Sequence, residues 1–281
     1  MKQETITSKI VMYIFFSLIS LIVIIPFLWV IGNSFKISEE IGRYGGLSIH
    51  AFIPVKATLA NYRQLWVKCD LLRVLFNTVF VAVVVTAVSM VFNSLAAYAL
   101  ARMKFRGKKV LFTTIILTMI IPFEVLVIPL YQTVKQLNLI DSYLGLIIPA
   151  SASAFGIFFL RQFFLEIPNS IEEAAVLDGA GHFTIYSRVM LPLLTSPLVT
   201  IGILTFLQQW DNFLWAVTVI NKQQLTMLQV ALTFIATANE HITDWGVVYS
   251  GAVVSAVPII TVFLFIQKYY IQSIASTGVK G

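Results

Sequence analysis

Pro168-Asn169-Ser170-Ile171-Glu172-Glu173-Ala174-Ala175-Val176-Leu177-Asp178-Gly179-Ala180-Gly181, continuing through Tyr186 and Arg188 to Leu191-Pro192, is the longest polar interval in the second half of a very apolar chain. Pro168 halts what precedes it, and Ser170 with Glu173 three residues on reads as a capping box, each side chain accepting from an unpaired backbone N–H. Ala174 to Leu177 carry a helix for about two turns. Gly179 and Gly181 supply flexible or left-handed positions that end helices. A second helix follows, with Phe183, Tyr186 and Met190 spaced along one face. On local chemistry alone this hairpin could equally lie on a membrane surface, with Glu173 only a cap.

Working outward, the 281 residues are 58% hydrophobic and 11% charged, with a mean hydropathy of +0.88. That composition excludes an ordinary soluble domain and predicts an all-α polytopic membrane protein. The net charge of +6 comes without a basic helix or interleaved aromatics, so nucleic acid is not an expected partner. Lys and Arg on cytoplasmic loops account for it, and membrane lipid is the expected surrounding. Cys69 is the one cysteine and reads as a bystander in an outward loop. His50, His182 and His241 are far apart and each is expected in a loop, so no metal site is expected.

Hydropathy predicts six transmembrane helices in a single domain over 1–281, at about 10–31, 74–101, 110–134, 143–160, 191–220 and 245–267, with the hairpin at 168–190. Pro122 and Pro129 interrupt the third. Asn93-Ser94-Leu95-Ala96-Ala97 in the second could permit close helix contact. Residues 33–73 form a mixed loop in which Asn61-Tyr62 and Leu65-Trp66 suggest a short helix. Arg102, Lys104, Arg106, Lys108 and Lys109 put five basic residues in eight, a strong positive-inside signal. Parity from that loop puts both termini and the hairpin in the cytoplasm. Lys36, Arg43, Lys56, Arg63, Lys68 and Arg73 in the first outer loop oppose this, but they are dispersed and partly balanced by acids.

The series Glu173-Ala174-Ala175, three residues, Gly179, nine residues, Val189-Met190-Leu191-Pro192 resembles the EAA loop of the membrane subunits of bacterial ATP-driven importers, with Val189 where the family more often has Ile. The resemblance implies a cytoplasmic coupling helix seated in a cleft of an ATPase subunit, with Glu173, Ala174, Ala175, Asp178, Gly179 and Pro192 as coupling residues. Trp210-Asp211-Asn212-Phe213-Leu214-Trp215 is similar to a Trp-Asn-x-Phe-Leu-Trp segment of MalG-like permeases of carbohydrate ABC importers, with Asp211 at the usual Asn. Ile121-Pro122-Phe123-Glu124-Val125 and the ending Gly278-Val279-Lys280-Gly281 resemble the same group. This implies a permease for a sugar, an oligosaccharide, in the bacterial cytoplasmic (inner) membrane. It further implies a MalF-like second permease, two ATPase subunits holding ATP and Mg, an extracytoplasmic sugar-binding protein, and a tail in which Gly278, Lys280 and Gly281 approach the ATPase.

Glu124 is the acid well inside the third span, and an intramembrane carboxylate is a functional candidate because exposing it to lipid is costly. Two readings stand: it faces a translocation path, or it lies near the outer end and pairs with Lys135 or a backbone group. Gln208, Gln209, Trp210, Asp211, Asn212 and Trp215 set amides, an acid and aromatic faces together, which suits a sugar; an interfacial aromatic belt is the alternative. Substrate-path candidates are therefore Glu124, Gln209, Trp210, Asp211, Asn212 and Trp215. No G-x-x-x-x-G-K-[ST], H-E-x-x-H or G-x-S-x-G occurs, so the expectation is a transport subunit with no catalytic residues or cofactor of its own. A permease for another solute, or an ion-coupled secondary transporter using Glu124 and Asp211, are the competing readings.

Overall fold

The computed structural model describes residues 6–44, 48–237 and 243–277. In chain order α1 spans Ile6–Ser34, α2 Ser38–Arg43, α3 Ala60–Cys69 and α4 Leu71–Arg102. Then come α5 (Lys108–Thr118), α6 (Phe123–Gln136), α7 (Tyr143–Ala150), α8 (Ala154–Glu166) and α9 (Asn169–Leu177). Next are α10 (His182–Thr184), running through a π-helical stretch Ile185–Met190 into α11 (Leu191–Leu193), then α12 (Thr195–Trp210) and α13 (Leu214–Val219). The last are α14 (Leu228–Thr237) and α15 (Trp245–Thr277). His50 sits in a short 3-10 turn, Ile49–Ala51, and His182 opens α10, so neither is in the open loop that was expected; His241 lies outside the described residues.

Lys9–Ser34, Leu71–Arg102 and Trp245–Phe265 are each long and apolar enough to cross a membrane. The other three expected spans are broken helices. The 110–134 segment bends by 106° between α5 and α6, because Pro122 lacks an N–H and disfavours helical backbone before it. Pro129 is simply accommodated inside α6. The 143–160 segment bends by 41° between α7 and α8. The 191–220 segment is not one helix: α10–α11 meets α12 at 82°, and α12 ends at Trp210 before α13 begins. Pro122 marks the first of these breaks in the sequence; continuous hydropathy does not reveal the other two.

The chain resolves into two compact units, Met1–Leu72 with Ala231–Ile260 and Arg73–Val230 with Thr261–Gly281. In the first, the Lys36 ammonium is fully buried and donates to Asn33 Oδ1 (3.0 Å), the His50 carbonyl (2.7 Å) and the Ala51 carbonyl (2.8 Å). Asn61 donates to the Ser34 and Lys36 carbonyls at 2.8 and 2.7 Å. Burial pulls the Lys36 pKa below the ordinary lysine value, opposed by the nearby Glu40 carboxylate. Three acceptors around one ammonium make Lys36 an internal staple, as buried charge requires.

In the second unit α4 is the spine. Val81 and Val85, towards its start, join Leu146, Trp215 and Val219 in one buried cluster. Ala97 and Tyr98, towards its end, join Leu160, Phe164, Ile185 and Met190 in another. Between them Asn93 Oδ1 accepts from the Ser153 backbone N–H at 2.9 Å, while Ser153 Oγ caps α8 by accepting from Gly156 N–H at 2.9 Å. A Cβ on Gly156 would lie 2.4 Å from Asn93 Nδ2, so α4 and α8 approach closely only because that position is glycine. Arg161 ties the same helices, donating from Nε to the Leu100 carbonyl at 3.1 Å and stacking over Phe112 at 3.9 Å.

Candidate functional site

Two places in the second unit carry the sequence candidates. The first is the hairpin. Helix α9 begins at Asn169 with Pro168 in the N-cap position and no side-chain cap, so the expected Ser170–Glu173 capping box is not formed. Proline already starts the helix by geometry, which shifts Ser170 into the first turn. The end of α9 follows expectation more closely: Gly179 has φ +81°. Its N–H donates to the Val176 carbonyl at 3.0 Å, and Ala180 N–H donates to the Ala175 carbonyl at 2.9 Å, the paired bonds of a Schellman cap. Gly181 is extended, at φ −77° and ψ 163°, and leads into α10 instead of ending α9.

Side-chain placement on the second limb departs from the expected single face. Tyr186 and Met190 are buried with Ile185, but Phe183 is 74% exposed. The π-helical winding of Ile185–Met190 widens the repeat and brings Ile185 inward in its place. Tyr186 is then held by a 2.7 Å hydrogen bond between its hydroxyl and Ser94 of α4. Glu173, Ala174, Asp178, Gly179 and Pro192 are exposed, Ala175 half-buried. Leu177, 88% exposed, and Val176 add an apolar tip.

Sequence reasoning missed what holds this hairpin. Arg102, taken as one of five surface cations, has a side chain only 5% exposed. Its guanidinium donates to the Phe164 and Ile167 carbonyls at the end of α8 and to Asn169 Oδ1 at the start of α9. Glu172, the neighbour of the motif residue Glu173, approaches Arg102 Nε at 3.9 Å and accepts from Tyr98 at 3.5 Å. The Arg fork thus satisfies carbonyls that α8 leaves unpaired and joins three helices. Arg102 stands at the end of the basic run, but nothing in the sequence pairs it with residues some sixty positions away.

The second place is a cavity of about 460 Å³. Five of the six path candidates line it: Glu124, Gln209, Asp211, Asn212 and Trp215, joined by Gln208. The sharp bend at Pro122 places Glu124 in the first turn of α6, and the gap between α12 and α13 places the 208–215 series opposite. Glu124 is exposed and makes no ion pair with Lys135 or hydrogen bond among the described residues. Asp211 accepts from Gln229 Nε2 at 3.2 Å, and Gln209 Oε1 accepts from Asn212 at 3.2 Å. Trp215 donates from Nε1 to the Gly145 carbonyl at 3.1 Å. Trp210 is the exception: fully buried, it faces away from the cavity lining and stacks on Phe206, its Nε1 without a partner. Thr205 and Ser89, which also line the cavity, were not anticipated. No group of three or more His, Cys, Asp or Glu that could hold a metal occurs among the described residues. The expected tail residues Gly278, Lys280 and Gly281 lie outside the described residues.

A broken-helix membrane fold with a capped hairpin and a polar, aromatic cavity belongs with transport proteins. The chain is a member of the family of binding-protein-dependent transport system inner membrane components, whose model matches residues 89–276. Such proteins are permease subunits of ABC importers, transport components whose ATPase is a separate subunit. The chain is therefore a multi-pass inner-membrane component that works with other importer subunits. It is similar to the arabinooligosaccharides transport system permease protein AraQ of Halalkalibacterium halodurans, at 33% identity over 95% of this chain and 94% of that one. It is 32% identical to the polygalacturonan/rhamnogalacturonan transport system permease protein YtcP of Bacillus subtilis, over 96% of both. A crystal structure of a bacterial ABC transporter involved in the import of the acidic polysaccharide alginate matches at a TM-score of 0.81 and 25% identity, covering 96% of this chain and 100% of that chain.

Proposed function

We propose that this chain is the MalG-like permease of an oligosaccharide importer, paired with a second, MalF-like permease, two ATPase subunits and an extracytoplasmic sugar-binding protein. The observation that carries the sugar reading is the cavity, where Trp215, three amides and two carboxylates converge. Aromatic faces pack on sugar C–H groups while amides and carboxylates meet hydroxyls. The related permeases named for arabinooligosaccharides and for polygalacturonan/rhamnogalacturonan support it. In this reading each bent pair crosses the membrane as one span, making six, with both termini and the hairpin cytoplasmic. Lys104, Arg106 and Lys109 remain exposed after Arg102 is withdrawn inward, and Lys36 is withdrawn from the opposing loop, so the charge balance still favours that orientation.

The hairpin works as a lever. Ala174, Val176 and Leu177 present an exposed apolar tip for an ATPase cleft, Glu173 offers a rim charge, and Gly179 sets the turn. ATP and Mg belong to the partner, and the chain itself holds no cofactor. Purification of the tagged chain in mild detergent, followed by mass spectrometry, tests the assembly. An ATPase and a second permease at near-equal amounts are expected. Recovery of the folded chain alone, with uptake driven by an ion gradient, would sink this reading in favour of a secondary transporter.

A further inference from the structure

Permeases named for neutral and for acidic saccharides both lie among the proteins this chain resembles, so family membership does not choose between them. The cavity does. Glu124 and Asp211 line it, and no Lys, Arg or His is among its lining residues. Glu124 has no counter-ion among the described residues, and Asp211 meets an amide, not a cation. The cavity is also prepared for a neutral hydroxylated ligand. Thr205 is only 9% exposed, its hydroxyl has no hydrogen-bond partner among the described residues, and it lines the cavity. Its hydroxyl therefore stands open to the cavity, free to meet a ligand hydroxyl.

We propose that Glu124 and Asp211 form a charge filter: the cavity admits neutral saccharides, whose hydroxyls hydrogen-bond the carboxylates, Thr205 and the Gln209–Asn212 pair, and it repels uronic-acid oligomers. This rests on reading the cavity as the sugar path. The filter's strength follows from Coulomb's law: at an effective dielectric of about 40 and a separation of about 6 Å, each carboxylate disfavours an incoming anion about tenfold. A uronate is refused not by shape but by the absence of any cation to pair with it.

The test reads the cavity's charge directly in the assembled importer. In a Cys69→Ser background, Ala152→Cys places one thiol on the cavity lining. Its reaction rates with a cationic trimethylammonium-ethyl and an anionic sulfonatoethyl methanethiosulfonate are compared with those of a free small thiol. The cation-to-anion rate ratio should exceed the free-thiol ratio by at least about tenfold, and Glu124→Gln with Asp211→Asn should bring it back to within about threefold. Should the double variant fail to assemble, Asp211→Asn alone, a near-isosteric neutral replacement, is expected to lower the ratio about threefold or more. A ratio at the free-thiol value, as when the second permease neutralises the carboxylates, overturns the filter; so does a high ratio that neither substitution changes. The thiol rates need neither ATP nor sugar. They can therefore fail while ATP-driven sugar uptake succeeds, or hold while uptake fails, which separates the filter from the importer reading.

Discussion

The hairpin and the cavity are built in opposite ways. Almost everything that shapes the hairpin lies within one run of residues: Pro168 starts α9, Gly179 ends it at φ +81°, and the limb to Pro192 follows directly. The cavity draws on α4, α6, the α7–α8 break and the α12–α13 gap, so no local run describes it. Local construction suits the proposed lever, which would hold its shape while a partner pushes on it. Construction from several helices suits the proposed sugar path, whose walls would move apart when those helices rearrange.

The largest effect should come from breaking the hairpin's own turn. Gly179→Pro forbids the positive φ and removes the N–H bonded to Val176, a local cost of about 3 kcal/mol or more. ATP-driven uptake in membrane vesicles should fall at least about tenfold while immunoblots show normal insertion; undiminished uptake would contradict the lever. Next comes the non-local clamp at the start of the hairpin. Arg102→Met orphans the Phe164 and Ile167 carbonyls and the Glu172 carboxylate, at about 3 kcal/mol. More ATP should then be hydrolysed per sugar moved, with Arg102→Lys restoring only part of the coupling because a point charge cannot replace the fork. An unchanged ratio in the assembled complex would return Arg102 to the role of a surface cation.

Smaller effects separate Trp215 of the cavity wall from the buried Trp210. Trp215→Phe strands the Gly145 carbonyl and should lower the complex's stability by about 1–3 kcal/mol, read as a drop in Tm. Trp210→Phe loses ring volume but also removes an indole N–H that has no partner, so its net change should stay within about 1 kcal/mol. If the two variants melt alike, the assignment of Trp215 to the wall and Trp210 to the core is wrong. The smallest effect concerns Asp141 in the α6–α7 loop. It accepts from the Asn221 and Lys222 backbone N–H groups, the latter at 2.9 Å. These bonds hold its carboxyl below 3.8. The unfolded chain binds the proton first on acidification, so the contribution is complete above 3.8 and is lost as pH falls through the depressed folded value. Asp141→Asn should flatten the acid limb of a stability–pH profile and leave neutral pH nearly unchanged.

Comparing these regions shows where residue patterns carry meaning. Gly179 was legible because a left-handed turn leaves few choices besides glycine. The capping box was not formed although its residues are present, because Pro168 already supplies the helix start and a cap takes only one position. Phe183 kept the right spacing for an inward face, yet a π-helical turn replaced it with Ile185. Glu124 and the 208–215 series were each conspicuous as polar residues in apolar runs, but that they share one cavity could be decided only by the bends that bring them together. Trp210 and Trp215 look equivalent in the sequence; the end of α12 after the first and the start of α13 before the second turn them to different surroundings.

By itself the sequence determined the all-α membrane character, through apolar runs of spanning length, and the capped hairpin with its family, through short-range start and stop signals. Both depend on neighbours along the chain, where spacing and chemistry are read directly. Only the tertiary structure decided that Arg102 is a buried clamp, that Trp210 is core and Trp215 cavity wall, and that Glu124 and Asp211 share one space. Those outcomes depend on helix breaks and on contacts between residues far apart in the chain, and a side chain's partner across such distances is set by packing.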